Sequence, residues 1–163
     1  MAATLHPTGH AAGKAASLWR VAELTQSSIV IAADPAEIMD IIADVETYPD
    51  WIPGIDAAVA HGADSDGRPE QATFTGNMGL VKDSYSVAYD WADVEVNWHL
   101  TAGEMLHDLT GRYTCTDLGD GTTEVEYALN VNLAIPVVGM LRRRGERVII
   151  DSALKGLKRR AEG

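Results

Sequence analysis

The chain of 163 residues predicts an α+β fold built on an antiparallel sheet, and three observations carry that prediction. The middle of the chain is a succession of short stretches cut by Gly, Asp, Asn and Pro turn signals, the pattern of strands in hairpins rather than of βαβ units. Asp34-Pro35-Ala36-Glu37 has the composition of a helix start, with an N-cap, a proline at the first helical position and the return carboxylate of a capping box. After Pro136 the period changes to that of a single long helix.

Residues 1–18 are rich in Ala, Gly, His and Thr without a period of 2 or 3.6 and read as a flexible N-terminal extension, which leaves 19–163 as one domain. Ser27 to Ala33 is an extended, β-branched stretch. The helix opened by Pro35 places Ile38, Met39, Ile41, Ile42 and Val45 in a buried stripe. Tyr48 is expected to break it, because the residue before Pro49 avoids the helical region. A short turn or second helix runs through Trp51 and ends at Pro53 and Gly54. Turn signals at Ser65–Gly67, Asn77–Gly79, Ala92–Asp93 and Gly119–Gly121 then divide six or seven strands. In the last strand Val125, Tyr127, Leu129, Val131 and Leu133 alternate with Glu124, Glu126, Asn130 and Asn132, so one face packs and the other is wet. The final helix, about 26 residues and ~39 Å long at ~1.5 Å per residue, is expected to start at Pro136. Its apolar side carries Val138, Leu141, Val148, Ile149, Ala153 and Gly156, with Arg143, Arg144, Arg147, Asp151 and Lys158 on the other. Asp151 has ion-pair spacing to Arg147 and to Lys155.

Composition excludes several classes of function. With 46% apolar residues the chain can bury roughly 70% of its unfolded surface without disulfides or a structural metal. Thirteen Lys and Arg against 24 Asp and Glu give a net charge of −11, which disfavours nucleic-acid partners. The charge is uneven: residues 136–163 hold eight basic and three acidic side chains, a net +5, and the remainder carries −16. Cys115 is the single cysteine, so no internal disulfide forms and a cytoplasmic setting is expected. Met1 to Lys14 contains no apolar secretion core, and no run of ~18 apolar residues suggests a membrane span. Asp64-Ser65-Asp66-Gly67 opens like a calcium loop, but its twelfth position is Thr75 instead of a bidentate Glu. His6, His10, His61, His99 and His107 show no metal-ligand spacing, and phosphate-loop, nucleophile-elbow and zinc-protease motifs are absent. No metal or cofactor is expected.

The positive signal lies in strand parity. Phe74, Tyr85, Val87, Tyr89, Trp98, Tyr113, Tyr127 and Leu133 share the inward side of the sheet. Tyrosine hydroxyls want partners, so this surface suits a cavity that holds a ligand or water, while a plain aromatic core fits the same parity. Gly145, Ser152 and Gly156 put small residues on the long helix, where they either let it press on the sheet or leave a hollow. His99 has outward parity. His107 in one register joins the packed face with Leu109, Gly111, Tyr113 and Cys115, and otherwise sits at a strand end in solvent. Cys115 reads as a small buried hydrophobe.

The order of strand, capped helix, Tyr48-Pro49-Asp50-Trp51, meander and long helix resembles the START-like, or SRPBCC, superfamily, and within it the polyketide cyclase/dehydrase and coenzyme Q-binding branch. The resemblance is carried by Ile29 to Asp34, Pro35 to Asp44, Tyr48, Pro49 and Trp51, then by Leu133, Ala134, Ile135, Pro136, Gly139 and Met140, and spans about Val21 to Arg160. It implies a helix-grip fold: a seven-stranded antiparallel sheet wrapped around the C-terminal helix, two short helices after the first strand, and a hydrophobic tunnel between sheet and helix. The implied tunnel residues are Phe74, Tyr85, Val87, Tyr89, Trp98, Tyr113, Tyr127, Leu133, Leu141, Val148 and Ser152, with Trp51 near the mouth. The leading expectation is binding or transport of a hydrophobic small molecule such as a lipid, isoprenoid quinone or polyketide. A cyclase or dehydratase would instead draw its general acid or base from His107, Tyr113 or Tyr85. Arg112, with outward parity, and Arg68, beside a turn, depart from the arginine-lined cavities of cyclase members. A third expectation is a ribosome- or protein-interaction module using Arg143, Arg144 and Arg147, as ribosome-associated members imply.

Overall fold

The computed structural model describes residues 24–77 and 82–163, so the expected N-terminal extension and most of the turn signal at Asn77–Gly79 lie outside the described residues. β1 (Thr25–Ile31) leads into α1 (Pro35–Ala43), a 3-10 turn (Val45–Thr47) and α2 (Tyr48–Trp51). Strands β2 (Ile55–Ala63), β3 (Pro69–Asn77), β4 (Lys82–Trp91), β5 (Glu95–Gly103), β6 (Leu106–Asp117) and β7 (Thr123–Leu133) follow, and α3 (Gly139–Glu162) closes the chain. The strands form one antiparallel sheet in the order β1-β7-β6-β5-β4-β3-β2. This is the helix-grip arrangement: hairpins run from β2 to β7, and the first strand returns to pair beside the last.

Local chemistry explains most of the boundaries. Asp34 is extended at the N-cap of α1 and Pro35 takes the first turn, but the Asp34 side chain makes no capping hydrogen bond, so the expected capping box does not form. α1 buries Ile38, Met39 and Ile42, while Val45 is buried from the 3-10 turn that follows. Tyr48 departs from expectation: although it precedes a proline it is helical, with φ −53° and ψ −38°, and opens α2. Its hydroxyl donates to the Ile42 carbonyl, and its ring meets Trp51 at 4.9 Å and Phe74 at 5.7 Å, contacts that outweigh the local preference. Gly119 and Gly121 take positive φ in the turn between β6 and β7, where Asp117 and Asp120 accept backbone N–H groups.

The long helix differs from its sequence reading in two ways. It begins at Gly139, since residues 134–138 are spent leaving the sheet: the Ala134 N–H bonds to Met105 and Val138 is an extended N-cap. Its buried face is Glu146, Ile150, Ala153, Leu154, Gly156 and Leu157, packed on β1, β7 and α1. Val138, Leu141 and Val148, expected on the packed side, are 75%, 50% and 62% exposed. At ~100° per residue Val148 falls half a turn from Leu157, so an interface centred on Leu157 turns it outward. The far end of α3 is tied to β1, where Lys158 donates to the Val30 carbonyl at 2.7 Å and Glu162 accepts the Ala32 N–H at 2.9 Å. Among the described residues no ion pair joins Asp151 to Arg147 or Lys155; the helical pair formed is Lys158–Glu162 at 2.8 Å.

Candidate functional site

Because α3 packs over β1 and β7, the inner face of the middle strands is left for aromatic side chains, and these enclose a cavity of about 240 Å³. Phe74 from β3, Tyr85, Val87 and Tyr89 from β4, Trp98 from β5, Tyr113 from β6 and Tyr127 from β7 line it. Val148, Ile149, Ser152 and Ala153 of α3 form its roof, and Tyr48, Ile52 and Pro53 close one end. The rings form a continuous wall: Tyr113 stacks on Tyr127 at 4.4 Å, and Trp98 lies 5.5 and 5.7 Å from them. Trp98 reaches that position because its cross-strand neighbour is Gly111. A Cβ on Gly111 would stand 2.2 Å from the indole, so only glycine lets the ring lie over the strand.

The cavity is apolar in shape but carries hydrogen-bonding groups. Burial holds the phenols of Tyr48, Tyr85, Tyr89, Tyr113 and Tyr127 above the usual tyrosine range; neighbouring tyrosines add to the effect at Tyr48, Tyr89, Tyr113 and Tyr127, and Asp83 adds to it at Tyr85. These hydroxyls stay protonated at neutral pH. Tyr48 spends its proton on Ile42. Among the described residues, Tyr85, Tyr89, Tyr113 and Tyr127 show no hydrogen bond to protein, and none of their oxygens is sealed off without a partner. They are donors presented to whatever occupies the space.

Of the residues expected at the site, Phe74, Tyr85, Val87, Tyr89, Trp98, Tyr113, Tyr127, Val148 and Ser152 line this cavity together. Leu133 instead lines a second hollow, and Leu141 lines neither. Trp51 does not line this cavity. It is 7% exposed, buried beneath Gly156, where an added Cβ would sit 2.0 Å from its carbonyl oxygen. The small residues on α3 thus do both things considered for them: Gly156 allows close approach and Ser152 borders the hollow. His107 is exposed, because a register shift between Leu106 and Asp108 breaks the parity that linked it to Leu109 and turns Leu106 inward instead. Cys115 is buried, its thiol pushed up to about 11 by desolvation. Arg112 points outward toward Glu95 and Glu126, and Arg143, Arg144 and Arg147 are exposed.

Several contributors escaped the sequence reading. Leu109 and Leu129 share parity with Tyr113 and Tyr127, so the signal for them existed. Asp83 accepts the Met105 and Leu106 N–H groups and braces the β5–β6 turn, which no local pattern announces. The second hollow, also about 240 Å³, lies under the start of α3 and is lined by Leu106, Val131, Asn132, Leu133, Ile135, Pro136, Val137, Arg142, Gly145, Glu146 and Ile149. Glu146 is 3% exposed and accepts from Thr25 Oγ1 at 2.7 Å and the Val131 N–H at 2.6 Å. Among the described residues no cluster of His, Cys, Asp and Glu is arranged to hold a metal. No helix among them is long and apolar enough to cross a membrane.

A β-sheet closed over a long helix with a tyrosine-lined hollow between them defines a helix-grip, START-like protein. Residues 22–162 match the family described as polyketide cyclase / dehydrase and lipid transport, and the chain belongs to that family. Among solved structures, it is similar to a START superfamily protein from Mycobacterium smegmatis, at 24% identity and a TM-score of 0.79, over 85% of this chain and 97% of that one. It is also similar to a Thermus thermophilus protein at 19% identity (TM-score 0.72, 85% and 97% covered). The Zhui aromatase/cyclase of a Streptomyces species aligns at 10% identity with a TM-score of 0.69, over 85% and 93% of the two chains. At these identities the likeness shows the fold. No curated protein matches.

Proposed function

We propose that the protein binds a hydrophobic, oxygen-bearing small molecule, such as an isoprenoid quinone, a polyketide or a lipid, in the cavity between the sheet and α3. The observation that supports this reading is the tyrosine wall: four neutral hydroxyls without a protein partner among the described residues face an apolar space large enough for a small molecule. None of these oxygens is sealed off, so water entering the cavity can pair with them, as it could not in a dry core. A ligand with carbonyl or hydroxyl oxygens accepts from them instead. Binding is favoured over ring-closing catalysis because the cavity wall contains no carboxylate, imidazole or amine among the described residues, and phenols held above their ordinary range donate hydrogen bonds but do not take protons at neutral pH.

Native mass spectrometry of the protein incubated with a quinone, a flat aromatic polyketide and a fatty acid tests this. The expected result is a one-to-one adduct with at least one of them, lost in Ser152→Leu, whose larger side chain fills the roof without lowering the thermal midpoint. An undiminished adduct in the folded variant overturns it.

A further inference from the structure

We infer that the second hollow receives the carboxylate of an amphipathic ligand whose apolar body lies in the tyrosine cavity, with Arg142 as the residue that holds it. The inference rests on the binding function proposed above and adds the chemical class of the ligand. The two hollows share Ile149 as a lining residue, so they adjoin beneath α3. From Ser152 over the first to Arg142 over the second, the helix rises roughly 15 Å, the length of a ring system with a short acidic tail.

The two ends differ in chemistry. Among the described residues the tyrosine cavity is lined by no charged side chain, whereas Arg142, Glu146 and Asn132 line the second hollow. Glu146 is already committed, one oxygen to Thr25 and the other to the Val131 N–H. Arg142 is half-buried and fixed through Nη1 alone, which donates to Asn132 Oδ1 at 2.7 Å and Asn130 Oδ1 at 3.3 Å. Both acceptors are neutral amides, and among the described residues no carboxylate lies within ion-pair distance of the guanidinium. The edge formed by Nε and Nη2 makes no hydrogen bond there, and that edge is the fork a carboxylate grips with two parallel bonds. Asn130 and Asn132 share the outward parity of β7, so they hold the plane of the fork at the rim of the hollow before a ligand arrives, which limits the ordering cost of binding. Glu146 shares the hollow and offsets part of the attraction, so selection depends on the geometry of the fork more than on net charge. Arg143 and Arg144, exposed on the next positions, lack both the hollow and the amide clamp.

The test titrates the full chain with 1-pyrenebutanoic acid and 1-pyrenebutanol, which share a flat body and differ in the head, following pyrene fluorescence. The wild type is expected to bind the acid about tenfold more tightly than the alcohol. Arg142→Gln removes that difference while changing alcohol affinity by less than about twofold, and Arg142→Lys, which keeps the charge but not the fork, retains little of it. Arg143→Gln leaves both affinities unchanged. Equal binding of acid and alcohol by the wild type, or an equal loss of both in a folded Arg142→Gln, overturns the carboxylate site and leaves the tyrosine cavity standing. Failure of both probes to bind counts against the cavity itself, and the head-group site falls with it.

Discussion

The two halves of α3 are built from similar residues and live in different surroundings. From Ile150 onward the helix is a core element, with Ile150, Ala153, Leu154 and Leu157 at most 2% exposed and its last turn tied to β1. Before that, Met140 and Val148 are 73% and 62% exposed, and the side facing inward spans two hollows. What holds the first half is polar: Glu146 reaches Thr25 and Val131, and Arg142 reaches two asparagines. The difference teaches that a single helix can serve as both anchor and roof, with the hydrophobic effect acting on one half and a few directed bonds on the other.

That contrast is open to breakage, the largest effect coming from the phenols under the roof. Tyr48, Tyr85, Tyr113 and Tyr127 keep their protons in the folded protein beyond the pH at which an unfolded tyrosine, near 10, loses them. The unfolded chain therefore binds fewer protons above pH ~10, and stability present below that value falls as pH rises, by about 1.4 kcal/mol per pH unit for each phenol. Phenolate absorbance and sheet circular dichroism are expected to change together in an alkaline titration. Phenolate appearing while the sheet persists would show the roof opening by itself.

Next in size is Leu157→Ala, which leaves a void in the anchored half and costs about 2–5 kcal/mol in urea denaturation. Glu146→Gln follows at about 1–3 kcal/mol, since an amide offers one accepting oxygen where the carboxylate uses two. Hydrogen exchange sharpens the comparison: the variant is expected to lose protection over 140–148 and keep it over 150–160. Uniform loss along α3 would show the halves to be one cooperative unit. The smallest effect is Met140→Ser, within about 0.5 kcal/mol of wild type, because its side chain is already in water.

The division also marks what was legible in the sequence. The alternation of Val125, Tyr127, Leu129 and Val131 and the Asp34-Pro35 start follow from local rules, and the described structure contains both. The tyrosines of the cavity were legible for the same reason, since strand parity alone brings Tyr85, Tyr113 and Tyr127 to one face. His107 was not, because a bulge reverses parity and the sequence carries no mark for it. Helical periodicity identified α3 but misplaced its face, as Leu141 and Val148 repeat at core spacing yet are 50% and 62% exposed. Arg142 and Glu146 were invisible as site residues because their partners lie on β1 and β7, brought near only by the completed fold.

The pairing of β1 with β7 has a kinetic side. Thr25 and Leu129 are cross-strand neighbours, so the sheet's first strand and its partner are separated by roughly 100 residues of chain. During synthesis β1 is made first and waits longest, its edge unsatisfied while the hairpins from β2 onward zip up by local contacts. β7 and the anchored half of α3 then arrive together as the last pieces, and both land on β1. A closure this long is expected to slow folding, and a nascent chain stalled before Thr123 lacks the partner that covers the edge of β1.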